Sequence, residues 1–194
     1  MEEVVKAGDA DPKDLMLLYV VGEETTGDGM KTFSAGWTGK PLEAAIFGEP
    51  TEKKLACGHK GHAGCRVIAK GKAGHSGYPW LGKSATEVLM RGLVKVLDAD
   101  LGGSERFGNT TVNVGVISGG AAANVIAENA TASLAIRIAA GTLETGYDIM
   151  KSRLEKILDD TDSDALTLDC VEGYGPIECD CDVEGKASLP WIFL

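Results

Sequence analysis

From Thr111 to Ser118, and again from Ala130 to Ile138, apolar and polar residues alternate with a period of two. That is the pattern of strands that bury one face. Val112, Val114 and Val116 share a face of the first segment. In the second, Ala132, Leu134, Ile136 and Ile138 point inward while Thr131, Ser133 and Arg137 point outward. Two helical stripes flank this pair. Ser84-Ala85-Thr86-Glu87 fits a capping box and leads into Ala85, Val88, Leu89, Leu93 and Val96 on one face. Leu143, Tyr147, Met150, Leu154 and Ile157 form the second stripe. His62 to Lys72 and Leu166 to Val171 read as the outer strands. The order βαββαβ is the split βαβ, ferredoxin-like arrangement, with helices on one side of an antiparallel sheet. The other sheet face must meet solvent, a partner or a neighbouring domain.

A chain of 194 residues holds one domain or two small ones, and its rhythm divides it in three. Residues 1–55 carry two apolar runs, Leu15 to Val21 and Ala44 to Phe47, bounded by Gly and Pro. They read as strands buried on both faces. A helix over Asp28 to Ala35 lies between them, so a right-handed βαβ crossover is the economical connection. Each run ends in acids, Gly22-Glu23-Glu24 and Gly48-Glu49-Pro50-Thr51. Ligands bind beyond the carboxyl ends of parallel strands, so these acids are expected in one crevice. Residues 56–173 hold the βαββαβ unit. Residues 174–194 are acidic and irregular, with an apolar end, Leu189 to Leu194, that has no evident place to pack.

The formal net charge of -10 argues against nucleic acid or an anionic membrane as partner. No stretch is apolar for long enough to span a bilayer, and Met1 to Lys6 lacks the features of a signal peptide. Cys57, Cys65, Cys170, Cys179 and Cys181 are few and scattered for a disulfide framework. Cys57, His59, His62 and Cys65 imitate a four-ligand zinc cluster, but in an extended segment His62 points away from the other three. Two N-glycosylation triplets, Asn109-Thr110-Thr111 and Asn129-Ala130-Thr131, give slight support to secretion.

Glu23 and Glu24, adjacent at a strand end, point opposite ways and can serve two tasks; the plainer account is a surface turn. His75 in Gly74-His75-Ser76-Gly77 is either an exposed turn histidine or part of a site. The small-residue loop Gly119 to Asn124 either lets backbone approach a ligand or simply connects two strands. Arg137 on a polar strand face contacts solvent, or clamps a carboxylate if that face looks onto a cleft.

Taken in order, Gly22-Glu23-Glu24, Gly48-Glu49-Pro50-Thr51, Gly74-His75-Ser76, Gly119-Gly120 to Asn124-Val125-Ile126 and Arg137 resemble the zinc-dependent exopeptidase and deacylase family. That family includes acetylornithine deacetylase, succinyl-diaminopimelate desuccinylase, aminoacylase and glutamate carboxypeptidase. The stretch His59 to Ser84 is most similar to secreted or vacuolar carboxypeptidases of fungal type. The resemblance implies an α/β fold: part of a catalytic domain with a mixed sheet (1–55), an inserted α+β lid or dimerisation domain (56–173), and a truncated return to the catalytic domain (174–194). It implies two zinc ions, Glu23 as general base, Glu24 and Glu49 as metal ligands, and His75, from the same or a partner subunit, at the oxyanion. Asn124 and Arg137 would hold the substrate carboxylate. Homodimerisation through the lid, a small peptide or N-acyl amino acid as substrate, and a secreted or vacuolar location are further implications.

The family pattern also needs an upstream His-x-Asp, a bridging Asp and a distant downstream His, and none of His59, His62 and His75 stands at those ligand positions. Two carboxylates alone make a poor zinc site, because zinc prefers nitrogen and sulfur donors. The expectation is an internal fragment of such a hydrolase, with little or no activity of its own. A non-catalytic dimerisation module is the alternative, and a structural zinc module using Cys57 and Cys65 ranks last.

Overall fold

The computed structural model describes residues 2–42, 45–48, 56–171, 173–179 and 192–193. Contacts divide the chain into two units, Met1–Leu42 and Glu43–Leu194. The first contains helices α1 (Glu2–Ala7) and α2 (Asp28–Gly36). The second runs β1 (Ile46–Phe47), β2 (Gly58–His59), β3 (Gly61–Lys70), β4 (Gly74–His75), α3 (Ala85–Asp98), β5 (Gly103–Ser104) and β6 (Gly108–Asn109). It continues with β7 (Thr111–Gly119), β8 (Val125–Ile126), β9 (Asn129–Ile138), α4 (Gly146–Asp162), β10 (Leu166–Cys170), β11 (Ile177–Glu178) and β12 (Ile192–Phe193).

The period-two segments pair as an antiparallel sheet in the order β10-β3-β9-β7. With α3 and α4 on one face, this is the βαββαβ arrangement that the periodicity predicts. Alternation decides the faces: Ala63, Cys65, Val67 and Ala69 of β3 and Ala132, Leu134, Ile136 and Ile138 of β9 are buried, and they meet Leu89, Leu93 and Val96 of α3 and Met150, Leu154 and Leu158 of α4. Burying each large aliphatic side chain is worth about 1.5–3 kcal/mol. Gly92 leaves room for side chains of β10 and α4: a Cβ there would lie 3.0 Å from Leu166 and 3.3 Å from Leu158. Ser84 caps α3, its Oγ accepting the Glu87 N–H at 3.3 Å. The other half of the capping box is not made, because the Glu87 carboxylate holds Arg91 at 2.7 Å instead.

Several expectations are corrected. Leu15 to Val21 joins no ladder among the described residues and is exposed, with Leu17 at 63% and Tyr19 at 88%. An apolar run becomes a buried strand only where neighbours cover it, and its own unit supplies no paired strand among the described residues, only α2 against Val20 and Val21. Among the described residues the run therefore opens no βαβ crossover. β1 pairs instead, in parallel, with β12, so the carboxyl-terminal apolar segment does have a place in a ladder. On β7 a bulge at Gly115 shifts the register between Val114 and Val116. Val112 and Val114 face the core, whereas Val116 pairs with Ser133 on the other face and Ile117 takes the core side opposite Ala132. Leu143 lies ahead of α4 and is exposed, and Leu158 supplies the buried contact at the helix's far end.

The cysteines also depart from expectation. Cys65 and Cys170 are directly opposed in the β3–β10 pairing and form a disulfide that spans 105 residues of sequence. Nothing in the spacing announces this, because it depends on the first and last strands of the sheet being neighbours. Cys57 is disulfide-bonded as well, so neither thiol is available to the imitation zinc cluster. Cys179 is buried and free. Replacing both Cys65 and Cys170 by Ser is expected to lower unfolding free energy by about 2–5 kcal/mol. Urea unfolding of the oxidised protein and the double variant measures it.

Candidate functional site

In the first unit, Glu23 and Glu24 occupy an exposed turn just ahead of α2. The turn closes through Gly27 N–H to Gly22 C=O at 2.7 Å and Thr25 N–H to the same oxygen at 3.2 Å. Gly22 stands at φ +70, which glycine adopts without strain. Gly29 lets α2 touch the preceding chain, since a Cβ there would lie 2.6 Å from the Val21 nitrogen. The acids are therefore held in a defined turn, not at the end of a strand. Glu49 lies outside the described residues.

In the second unit, Gly74-His75 and Val125-Ile126 pair antiparallel, Gly74 with Ile126 and His75 with Val125. The ladder extends by one bond, Ser76 N–H to Asn124 C=O at 3.1 Å. Asn124 is thus brought opposite Ser76, one residue along the ladder from His75. The Gly77 backbone N–H donates to His75 Nδ1 at 2.9 Å. Nδ1 must then be the acceptor nitrogen, so the neutral ring carries its proton on Nε2. The Tyr78 ring packs 5.8 Å from the imidazole and Trp80 packs edge-on to Tyr78. Gly77 belongs to the turn that the sequence marks, Gly74-His75-Ser76-Gly77, but its hold on the His75 ring is a feature of the fold. Beside this pair lies an open cleft of about 500 Å³ between Ser76, the α3 amino end at Ser84 and Thr86, and the loop Gly119 to Ala123.

Arg137 stands elsewhere. It lies near the far end of β9, opposite His62 of β3 and Thr111 of β7. Asn124 belongs to the Asn129 end, and eight residues of strand separate that end from Arg137 by about 25 Å. Within one copy, Arg137 does not join His75 and Asn124. His62 Nδ1 is shielded from water and has no hydrogen-bond partner among the described residues. Burial first, and the Arg137 charge second, push the His62 pKa below its ordinary value.

The test for a metal is chemical. Among the described residues no three His, Cys, Asp or Glu side chains stand together so as to hold an ion. Glu23 and Glu24, adjacent carboxylates in an open turn, lack the nitrogen or sulfur donors of a closed zinc site. By themselves they do not fit it.

A family model described as peptidase dimerisation domain matches residues 57–163. A protein of Sordaria macrospora named "Peptidase M20 domain-containing protein" is 58% identical over 198 residues, covering 97% of this chain and 44% of its own length. A "Probable carboxypeptidase" of Neosartorya fischeri is 45% identical, covering 90% of this chain and 42% of its own. The chain thus spans less than half the length of these curated relatives. Among solved structures, an amidase of the hydantoinase/carbamoylase family from Burkholderia multivorans superposes with a TM-score of 0.60 at 16% identity, over 80% of this chain and 47% of its own. A tripeptidase from Staphylococcus aureus gives 0.55 at 15%, over 72% and 44%. At such identities the likeness to these structures is one of fold.

His62 supplies a pH test. Its folded pKa is depressed, so its contribution to stability is complete above the ordinary histidine pKa of about 6.5. That contribution is lost as pH falls through the folded value. The urea midpoint is expected to drop between about pH 7 and pH 5, and His62→Gln to flatten that slope.

Proposed function

The chain belongs to the M20 peptidase family, whose dimerisation domain it carries, and from that premise we propose that the whole protein is a carboxypeptidase-like amide hydrolase. Its substrate is a small peptide or N-acyl amino acid with a free carboxylate beside the scissile bond. The observation that carries this reading is the fixed orientation of the His75 ring by the Gly77 amide. A backbone amide fixes the ring so that Nε2 carries the proton, with Asn124 one residue further along the paired strand. A neutral N–H donor fixed before substrate arrives suits an oxyanion, because its orientation costs nothing at the moment of reaction.

Zinc is the metal that the family resemblance implies. The described carboxylates do not fit it alone, and the roles that follow are those of the protein's own groups. Glu23 takes a proton from the attacking water and returns it to the leaving amine. Glu24 and Glu49 are assigned to metal binding. His75 Nε2–H donates to the oxygen on which charge develops, and Asn124 and Arg137 orient the substrate carboxylate.

The separation of Arg137 from His75 and Asn124 is reconciled by a homodimer. β7 is an edge strand, pairing only with β9 among the described residues. On α3, Met90, Val94 and Leu97 are 56%, 58% and 55% exposed and form a stripe on the side away from Gly92 and α4. Ile117, on the same side of the sheet as that helix, is 60% exposed. A second copy pairing through β7 about a two-fold axis covers this apolar margin. Antiparallel pairing brings the Thr111 end of one β7 to the Gly119 end of the other. Arg137 of one copy then approaches His75 and Asn124 of the second copy. A dimerisation module without catalysis is the second reading, and the same stripe supports it. The disulfide-bonded cysteines favour an oxidising destination, secreted or vacuolar.

Light scattering should find a dimer that Val94→Glu with Ile117→Glu reduces to monomer. In the whole enzyme, His75→Gln is expected to lower kcat by about 10²–10³ with little change in KM. Arg137→Ala should chiefly raise KM. Mixing those two variants should restore about a quarter of wild-type activity, since half the dimers regain one of two sites. No restoration on mixing would sink the shared site while leaving the hydrolase reading intact.

A further inference from the structure

We propose that Asn109 carries an N-linked glycan and that Asn129, in the second triplet, does not. The triplets are equivalent in sequence, Asn-x-Thr in both cases; the fold separates them. Asn109 ends the small β5–β6 hairpin, where it pairs with Gly103 and not with the main sheet. Its side chain is exposed and makes no hydrogen bond among the described residues, and its backbone oxygen accepts from the Lys60 ammonium at 2.6 Å. Thr111, whose hydroxyl completes the triplet, is exposed at the start of edge strand β7. A bulky, solvated sugar on the hairpin therefore projects from outside the four-stranded sheet.

Asn129 is placed differently. It opens β9, a strand paired on both sides, and sits opposite Lys70, whose ammonium holds the Asn129 Oδ1 at 2.7 Å. Its backbone oxygen accepts from Gly120 in the loop lining the cleft, and its threonine, Thr131, is half-buried within the sheet. Asn129 is itself exposed, but a sugar there would replace the Lys70 bond and stand beside Gly120 at the edge of that cleft. The independent observation is the Cys65–Cys170 disulfide, joined by the bonded Cys57. Disulfides form and persist where chains pass through oxidising compartments, and N-glycan transfer accompanies that passage in secreted proteins.

The transfer balances without redox change. The Asn109 side-chain nitrogen attacks the anomeric carbon of an oligosaccharide carried on a lipid diphosphate. The new nitrogen–carbon bond forms as the carbon–oxygen bond to the diphosphate breaks. The lipid diphosphate leaves with that electron pair, and the nitrogen's proton passes to a base of the transferase.

The protein isolated from its own cells tests this directly. After an amidase that releases N-glycans by converting glycan-bearing Asn to Asp, peptide mass spectrometry should find Asp at position 109 and unaltered Asn at position 129. The gel shift on amidase treatment should vanish in Asn109→Gln and Thr111→Ala, and persist in Thr111→Ser and Asn129→Gln. Unmodified Asn109, a glycan on Asn129, or Cys65 and Cys170 found as free thiols would each overturn the proposal. The wild-type peptides decide the matter even if a variant fails to fold.

Discussion

The ten-residue antiparallel pairing of β3 with β9 is the constraint on which the larger unit depends. It runs without interruption from Gly61 opposite Ile138 to Lys70 opposite Asn129. Every other long strand attaches to one of these two, and both helices lie across them. The pairing also brings the chain back on itself closely at its end. A Cβ on Gly61 would come 2.1 Å from the Tyr174 carbonyl oxygen, so only glycine permits the strand to begin there.

The same pairing explains why the candidate residues fall into two groups. The loop from β7 to β9 contains Asn124 and folds back against β4, so His75 and Asn124 gather at one end of the sheet. Arg137 leaves at the other end, beside His62 and Thr111. A single copy keeps these groups apart by its own register. Among the described residues the outer edge of β7 runs between the two ends, and the proposed homodimer pairs along it.

Period and capping made the sheet, both helices and most of the core legible, because those signals are local: alternating valines and alanines, a Ser84 cap, a stripe at Leu89, Leu93 and Val96. What was not legible depends on contacts remote in sequence. Leu15 to Val21 has the composition of a buried strand, but composition cannot show whether a neighbour covers it. Cys65 and Cys170 are 105 residues apart, and only the strand order makes them neighbours. The Gly115 bulge turns Val116 away from the face its spacing predicts, since one inserted residue reverses every later side chain. At the candidate site, the residue types were readable and the tautomer of His75 was not, because it is decided by the amide of Gly77.

The Cys65–Cys170 bond has a consequence for the order of events during synthesis. Its two sulfurs belong to the first and last strands of the sheet, so they meet only after the intervening chain exists. At translation rates of roughly 5–20 residues per second, Cys65 waits about 5–20 seconds for its partner. Throughout that interval the nearest earlier thiol is Cys57, eight residues behind it. The β3–β9 pairing can form before β10 is made, and it carries Cys65 inward between Ala63 and Val67 while Cys57 stays ahead of the strand. Strand order, more than distance along the chain, thereby decides which sulfur Cys65 meets.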